Sequence, residues 1–169
     1  IVTLSELTSL NLSGCAVAEI DALIGLQKLE TLDLSNNTVS DLTALSALLA
    51  LRELNLTNNP ITSLSNLKNC TELETLYAGQ CAITRIAGLA DHTKLKTLVL
   101  SGNKITDISA LAGCTAIETL DLSGNSISDI SVVSNFKKLV DLNVSSNQIT
   151  DLPQFDADTP LWHVDISHN

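Results

Sequence analysis

The hydrophobic positions of this chain repeat with a period of 22 residues, without insertion or deletion. Each copy reads L-x-x-L-x-L-x-x-N-x-I or a close variant. The eight copies begin at Leu7, Leu29, Leu51, Leu73, Leu95, Ile117, Leu139 and Leu161. A fixed short period predicts a solenoid of stacked coils, because each copy is one structural unit that buries its apolar side against its neighbours.

Within one copy, the pattern predicts a short strand and then a return segment without α-helix. In the third copy, residues 53–57 alternate polar and apolar side chains, which indicates a half-buried strand with Leu54 and Leu56 pointing inward. The apolar residues of the segment 61–73 recur every three residues, which favours 3₁₀ or irregular turns. The strands of successive copies would then stack in parallel at a spacing of about 4.8 Å.

Two polar columns have structural interpretations. An asparagine column follows the strands and predicts a hydrogen-bonded ladder, because an amide both donates to and accepts from backbone groups where the chain turns inward. The ladder positions are Cys15, Asn37, Asn59, Cys81, Asn103, Asn125, Asn147 and Asn169. A second column is interpreted as caps of the turn that follows. Its aspartates are Asp41, Asp107, Asp129 and Asp151.

A third column is apolar at most positions but contains His92 and Asp158. We interpret it as an exposed shoulder of the coil that tolerates polar residues. The alternative is a seventh coil that is distorted around Asp158, where Pro153 and Pro160 make the turn irregular.

Composition and charge disfavour several classes of partner. Hydrophobic residues make up 44% of the chain but only four residues are aromatic, so the core must consist of Leu, Ile and Val. The formal net charge is −10, which disfavours nucleic acids and anionic membrane surfaces because both require a positive patch. No apolar run is long enough to span a bilayer.

The four cysteines are predicted to be reduced, largely buried thiols. Cys15 and Cys81 share a column three coils apart, and Cys70 and Cys114 share another two coils apart. At strand spacing these separations are about 14 Å and about 10 Å. Both exceed the limit of about 7 Å between the Cα atoms of a disulfide. The thiols are also too dispersed to predict a metal site.

No catalytic or cofactor site is predicted. His163, Asp165 and Ser167 alternate along one strand, but alternate residues of a strand lie about 7 Å apart. That distance is too long for the hydrogen-bond relay of a catalytic triad. We therefore expect a protein that is not an enzyme and carries neither cofactor nor metal.

These columns resemble the leucine-rich repeat family, in its 22-residue class. Residues 103–111, with their Thr-Asp-Ile, resemble the bacterial internalins, and the SDS22-like phosphatase regulators are the second choice. The resemblance implies an α/β-type leucine-rich-repeat solenoid. It would be a right-handed curved horseshoe with a parallel β-sheet on the concave face and 3₁₀ or irregular turns on the convex face.

The function that the resemblance implies is a non-catalytic module that binds a protein partner of unknown identity through its concave face. Tyr77 and Val99 are the predicted centre of the contact, since tyrosine is a favoured interface anchor. The predicted surrounding residues are Asp33, Glu53, Thr75, Thr97 and Asp121. Two alternatives remain: the face is simply solvated, or Tyr77 leans over the gap left by its small neighbours, such as Gly79.

Residues 1–169 are expected to form a single domain of eight repeats. Ile1 aligns with Leu23, late in a coil, and neither end shows a polar cap, so we expect a fragment of a larger protein with flanking domains or caps. The internalin resemblance implies a secreted or bacterial cell-surface location. An intracellular scaffold of the SDS22-like kind, with a cytoplasmic location, and a spacer without a ligand are the alternatives.

Overall fold

The strands form one parallel sheet in which each strand pairs with the next one along the chain. The computed structural model describes residues 4–169, so Ile1 lies outside the described part. The pairing register joins each residue to the one 22 positions later, as in Thr31 with Glu53. The strands are β1 (Ser9–Asn11), β2 (Thr31–Asp33), β3 (Glu53–Asn55), β4 (Thr75–Tyr77), β5 (Thr97–Val99), β6 (Thr119–Asp121), β7 (Asp141–Asn143) and β8 (His163–Asp165). The predicted solenoid and its strand register are confirmed.

The first six return segments on the convex side each contain a short 3₁₀ helix, as predicted from the three-residue spacing of their apolar positions. No α-helix occurs among residues 4–169. The 3₁₀ segments are Asp21–Gly25, Thr43–Ala47, Ser65–Leu67, Ala87–Leu89, Ser109–Gly113 and Ser131–Asn135. The described part of the seventh return, which follows β7, contains no such segment.

Three of the four predicted aspartate caps are confirmed. The Oδ1 atom of Asp107 accepts a hydrogen bond from the N–H of Ser109, at the first residue of a 3₁₀ segment, over 2.8 Å. Asp41 and Asp129 make the equivalent bond. The prediction is wrong for Asp151, because the residue two positions later is Pro153, which has no N–H to donate.

The core lies between the sheet and the 3₁₀ segments and consists mainly of stacked aliphatic side chains, with Phe136 as a buried aromatic exception to the predicted Leu, Ile and Val. Leu54 and Leu56 are 1% and 0% exposed, so the inward positions of the strand are as predicted. The same two positions are filled by Leu, Val or Ala in the other central coils. One continuous cluster of buried side chains runs along the stack, which is why each coil depends on its neighbours for stability.

The asparagine column ties each coil to the previous one through the backbone. The Nδ2 atom of Asn103 donates to the carbonyl oxygens of Ala78, Leu100 and Ser101 at 2.9, 2.8 and 3.4 Å. Its Oδ1 atom accepts the N–H of Ile83 at 3.0 Å. The ladder therefore alternates between side chain and backbone, rather than joining one asparagine amide to the next.

Cys81 fills its place in the ladder incompletely. Its Sγ atom donates to the carbonyl oxygens of Leu56 and Gly79, both at 3.4 Å. The N–H of Ile61, which an asparagine would accept, instead bonds the carbonyl oxygen of Asn59 at 2.8 Å. A thiol is a weak acceptor, so the backbone turns to the nearest carbonyl.

All four cysteines are free, and two are fully buried. Burial raises the pKa of Cys70 and of Cys114 to about 11, which keeps both thiols protonated. The prediction of largely buried thiols is wrong for Cys15, which is exposed. Cys15 lies in the coil of β1, and no described coil packs against its other side.

We expect Asn103→Ala to lower the free energy of unfolding by about 3 kcal/mol, because it leaves a buried N–H and buried carbonyls without partners. Chemical denaturation followed by circular dichroism measures the change. Asn135→Ala, on the exposed end of a 3₁₀ segment, is the matched control. Equal losses of stability in the two variants would contradict the ladder.

We expect Cys81→Asn to raise the free energy of unfolding by about 1 kcal/mol, because an asparagine can accept the N–H of Ile61. The same denaturation experiment measures this change.

Candidate functional site

The concave face is formed by three columns of side chains that point away from the core. The first strand positions carry Ser9, Thr31, Glu53, Thr75, Thr97, Thr119, Asp141 and His163. The third positions, here named the middle column, carry Asn11, Asp33, Asn55, Tyr77, Val99, Asp121, Asn143 and Asp165. The residues two positions later are Ser13, Ser35, Thr57, Gly79, Ser101, Ser123, Ser145 and Ser167.

The polar residues of the middle column cap the ends of the strands. The Oδ1 atom of Asp33 accepts the N–H of Ser35 at 2.8 Å, and that of Asp121 accepts the N–H of Ser123 at 2.9 Å. The same bond recurs at Asn11, Asn55, Asn143 and Asp165. Asp33 and Asp121, which the sequence predicted as binding residues, therefore also stabilise the fold. This capping role was not expected from the sequence, although the run of Asn and Asp in one column was its signal.

Tyr77 and Val99 interrupt this capping in two adjacent coils. They are paired in register across β4 and β5. Valine has no hydrogen-bond acceptor, and the hydroxyl of tyrosine lies too far from the backbone to accept the N–H two residues later. Within residues 4–169, the N–H groups of Gly79 and Ser101 have no hydrogen-bond partner. Tyr77 is 41% exposed, so the ring contributes apolar area to the face.

A depression of about 180 Å³ lies on the concave face beside Tyr77. Its other lining residues are Thr31, Leu32, Asp33, Glu53, Leu54 and Asn55. The structure thus brings together three of the predicted site residues, Tyr77, Asp33 and Glu53. Val99, Thr75, Thr97 and Asp121 lie on the face but do not line this depression.

The space beside Gly79 is occupied by Ser101, because a Cβ atom at Gly79 would lie 3.1 Å from the Oγ atom of Ser101. The nearest atoms to that point all belong to Ser101. The structure therefore shows no gap beside Gly79 for the ring of Tyr77 to cover. Tyr77 instead lines the depression on the side of β3.

Three acidic side chains of the concave face have no cationic partners among residues 4–169. Asp33, Glu53 and Asp121 form no ion pair within the described part of the chain. Basic residues are instead paired before the strands begin, as where Lys96 contacts Glu74 at 2.6 Å. That hydrogen bond lowers the pKa of Glu74 below its ordinary value. The concave face is therefore left with a negative field.

The side chains of His163, Asp165 and Ser167 do not converge. The Nδ1 atom of His163 lies 2.9 Å from the Oδ1 atom of Asp141 on the neighbouring strand. Asp165 accepts the backbone N–H of Ser167 at 2.9 Å, and this bond lowers the pKa of Asp165. Among the described residues, no group of His, Cys, Asp or Glu side chains is arranged to hold a metal ion.

His92 is fully buried, so the interpretation of its column as an exposed shoulder is wrong for this residue. The buried members of the column are Leu26, Leu48, Cys70, His92, Cys114 and Phe136. Neither ring nitrogen of His92 has a hydrogen-bond partner in the described structure, and burial lowers its pKa. Asp158 is exposed in the seventh return, which agrees with the alternative of a distorted coil there.

A family model described as "Leucine Rich repeats (2 copies)" matches residues 5–47, 49–91, 71–113, 93–135 and 115–157. No curated protein matches the sequence significantly. No helix among residues 4–169 has the length and apolar character needed to cross a membrane.

Solved structures of bacterial and plant proteins share the fold. Internalin C2 of Listeria monocytogenes is 28% identical, with a TM-score of 0.77 over 97% of this chain and 82% of its own. Internalin F of the same organism is 26% identical, with a TM-score of 0.78 over 95% of this chain and 54% of its own. The plant peptide hormone receptor RGFR1, in complex with RGF2, is 27% identical, with a TM-score of 0.78 over 90% of this chain and 26% of its own.

We expect the folded protein to lose stability as the pH falls below about 6.5, the ordinary pKa of histidine. The unfolded chain then takes up a proton at His92 that the buried ring in the folded protein cannot accept as readily. His92→Leu, which copies Leu48 of the same column, should remove this dependence and raise stability by about 1–3 kcal/mol. Denaturation at pH 7.5 and pH 5 measures both effects, with substitution of the exposed His168, His168→Gln, as control. An unchanged pH profile in His92→Leu would contradict the assignment.

Proposed function

The chain belongs to the leucine-rich repeat family, and we propose that it is a non-catalytic module whose concave face binds a protein partner. The single observation that carries this proposal is Tyr77, an exposed aromatic ring in the middle of an otherwise small and polar sheet face. Tyrosine adds a large apolar area and a hydroxyl group to an interface at low entropic cost. Val99 extends the apolar area onto the next strand.

The rigidity of the sheet supports this proposal. The side chains around Tyr77 stand on three-residue strands that are held in register on both sides. The ladder bonds of Asn59 and Asn103 fix the turns that follow the neighbouring strands. A face that is ordered before the partner arrives loses little conformational entropy on binding, so more of the contact energy appears as affinity.

The charge of the face defines the chemistry of the partner. Asp33 and Glu53 line the depression beside Tyr77 and have no cationic partner among residues 4–169. Asp121 lies on the same face, while Thr75 and Thr97 flank Tyr77 and Val99 with hydroxyl groups. We infer a partner that offers basic side chains, because complementary charge accelerates association and discriminates against acidic proteins.

The similar structures favour a secreted or bacterial cell-surface location, since two of them are internalins of Listeria monocytogenes. The chain spans 82% of internalin C2 but 54% of internalin F and 26% of RGFR1, so the partners of those whole proteins are not transferred to it. The RGFR1 structure is a complex of a receptor with RGF2, which is consistent with a repeat solenoid that holds a peptide.

The four free thiols favour a second candidate, an intracellular scaffold or regulatory subunit of the SDS22-like kind. Cysteines without disulfides are more typical of a reducing compartment.

A peptide selection tests the binding face even while the natural partner is unidentified. Peptides selected from a random phage-displayed library against the immobilised chain should bind at Tyr77, and Tyr77→Ala should weaken their binding at least about tenfold, as expected of an interface anchor. Titration calorimetry measures the affinities.

Trp162→Ala is the matched control, because Trp162 is 89% exposed but precedes the last strand, away from Tyr77. If the peptides were attracted by any exposed aromatic side chain, Trp162→Ala would weaken their binding as much as Tyr77→Ala. Selected peptides that bind Tyr77→Ala and the unmodified chain equally well would contradict the proposal.

A further inference from the structure

The residues at the centre of the proposed face also leave two backbone donors without acceptors. We propose that the N–H groups of Gly79 and Ser101 bind carbonyl oxygens of a partner protein. A basic side chain of the same partner segment enters the depression beside Tyr77. This inference rests on the proposed function and specifies the chemistry of the partner.

The absence of an internal acceptor is specific to the coils of β4 and β5. In the other six coils, an Asn or Asp of the middle column accepts the N–H that is equivalent to those of Gly79 and Ser101. Tyr77 and Val99 cannot do so, because an aliphatic side chain has no acceptor and a tyrosine hydroxyl lies too far from its own backbone. The two unpaired donors therefore lie in adjacent coils.

The backbone of the preceding coil offers no substitute. If β4 continued, Gly79 would donate to the carbonyl oxygen of Leu56, but the Sγ atom of Cys81 already donates to it at 3.4 Å. Ser101 would likewise donate to the carbonyl of Ala78, which accepts a hydrogen bond from the Nδ2 atom of Asn103 at 2.9 Å. Neither of these two backbone bonds forms among residues 4–169. Water serves both donors in the free protein, and a partner that excludes this water must supply oxygens of its own, because an unpaired backbone donor is then costly.

A neutral carbonyl fits this site better than a carboxylate. Asp33, Glu53 and Asp121 lie on the same face without cationic partners in the described part of the chain, and the net charge is −10. A carboxylate would be repelled by these groups, whereas an uncharged oxygen is not. The two donors belong to neighbouring strands, so the partner must place two oxygens about 4.8 Å apart.

The end of a helix or a turn in the partner provides such a pair of oxygens. The last carbonyl groups of a helix have no internal partners and point in one direction. Lys and Arg are favoured in the same last turn because they complement the helix dipole. A basic side chain there reaches Asp33 and Glu53 and can lie against the ring of Tyr77, where a cation–π contact is favourable. Hydrogen bonds, charge and apolar contact thus converge on one segment.

The test compares two substitutions of Val99. Val99→Asn restores the residue type of the middle column, and its side chain should accept the N–H of Ser101 internally. Val99→Ala removes the same apolar contact but provides no acceptor. The probe is the tightest peptide from the phage selection, and titration calorimetry measures its affinity for both folded variants. We expect Val99→Asn to bind about tenfold more weakly than Val99→Ala, which corresponds to one lost hydrogen bond.

Amide resonances give an independent readout. In the free protein, the amides of Gly79 and Ser101 should exchange with solvent faster than those of Ser35 and Ser123, which are capped by the middle column. Addition of the peptide should shift both amide protons downfield and slow their exchange. These changes are absent if the peptide contacts only the ring of Tyr77.

The outcomes separate this inference from the proposed function. Equal affinities of Val99→Asn and Val99→Ala, with unshifted amides but a loss of binding in Tyr77→Ala, overturn the carbonyl site and leave the concave face as the binding surface. If the peptides bind Tyr77→Ala as tightly as the unmodified chain, both the carbonyl site and the proposed binding face are wrong. Weaker binding of Val99→Asn together with downfield shifts of Gly79 and Ser101 supports both.

Discussion

The fold depends on how the chain satisfies its backbone where each short strand ends and turns inward. At Asn103 a single amide side chain bonds carbonyl oxygens in its own coil and in the previous one, and accepts an N–H of the previous coil. Without these bonds, the turn would leave several buried polar groups unpaired. Because the same bonds recur in register, every coil must return its chain to the same place after 22 residues. The direction of every outward side chain follows from that constraint.

The middle column brings structural and functional demands to the same positions. An Asn or Asp there stabilises the strand end by accepting an N–H, as Asp33 does for Ser35. An apolar or aromatic residue provides a contact surface but gives up that hydrogen bond. Tyr77 and Val99 therefore mark the place where this face departs from its most stable pattern. Departures from locally favourable choices concentrate at functional sites, since the rest of the fold supplies the compensating stability.

Most of the architecture was predictable, because a fixed period and strict alternation leave few choices. The inward position of Leu54, the parallel register and the absence of disulfides follow from these two regularities. Features that depend on particular backbone contacts were not predictable. The failure of Asp151 as a cap requires knowing which N–H it would accept, and that residue is Pro153. The burial of His92 requires the position of its column in the coil, which the sequence pattern leaves open between core and shoulder.

The candidate site was only partly predictable for the same reason. The exposed ring of Tyr77 could be expected from a break in a polar column. The unpaired N–H groups of Gly79 and Ser101 are recognised only by comparison with the other six coils, where a middle-column side chain accepts the equivalent N–H. These donors bear on the choice between a binding module and a spacer. A spacer gains stability from Asn at both positions and loses nothing. Two uncapped donors beside an exposed ring and an acidic depression therefore favour a surface that another protein completes.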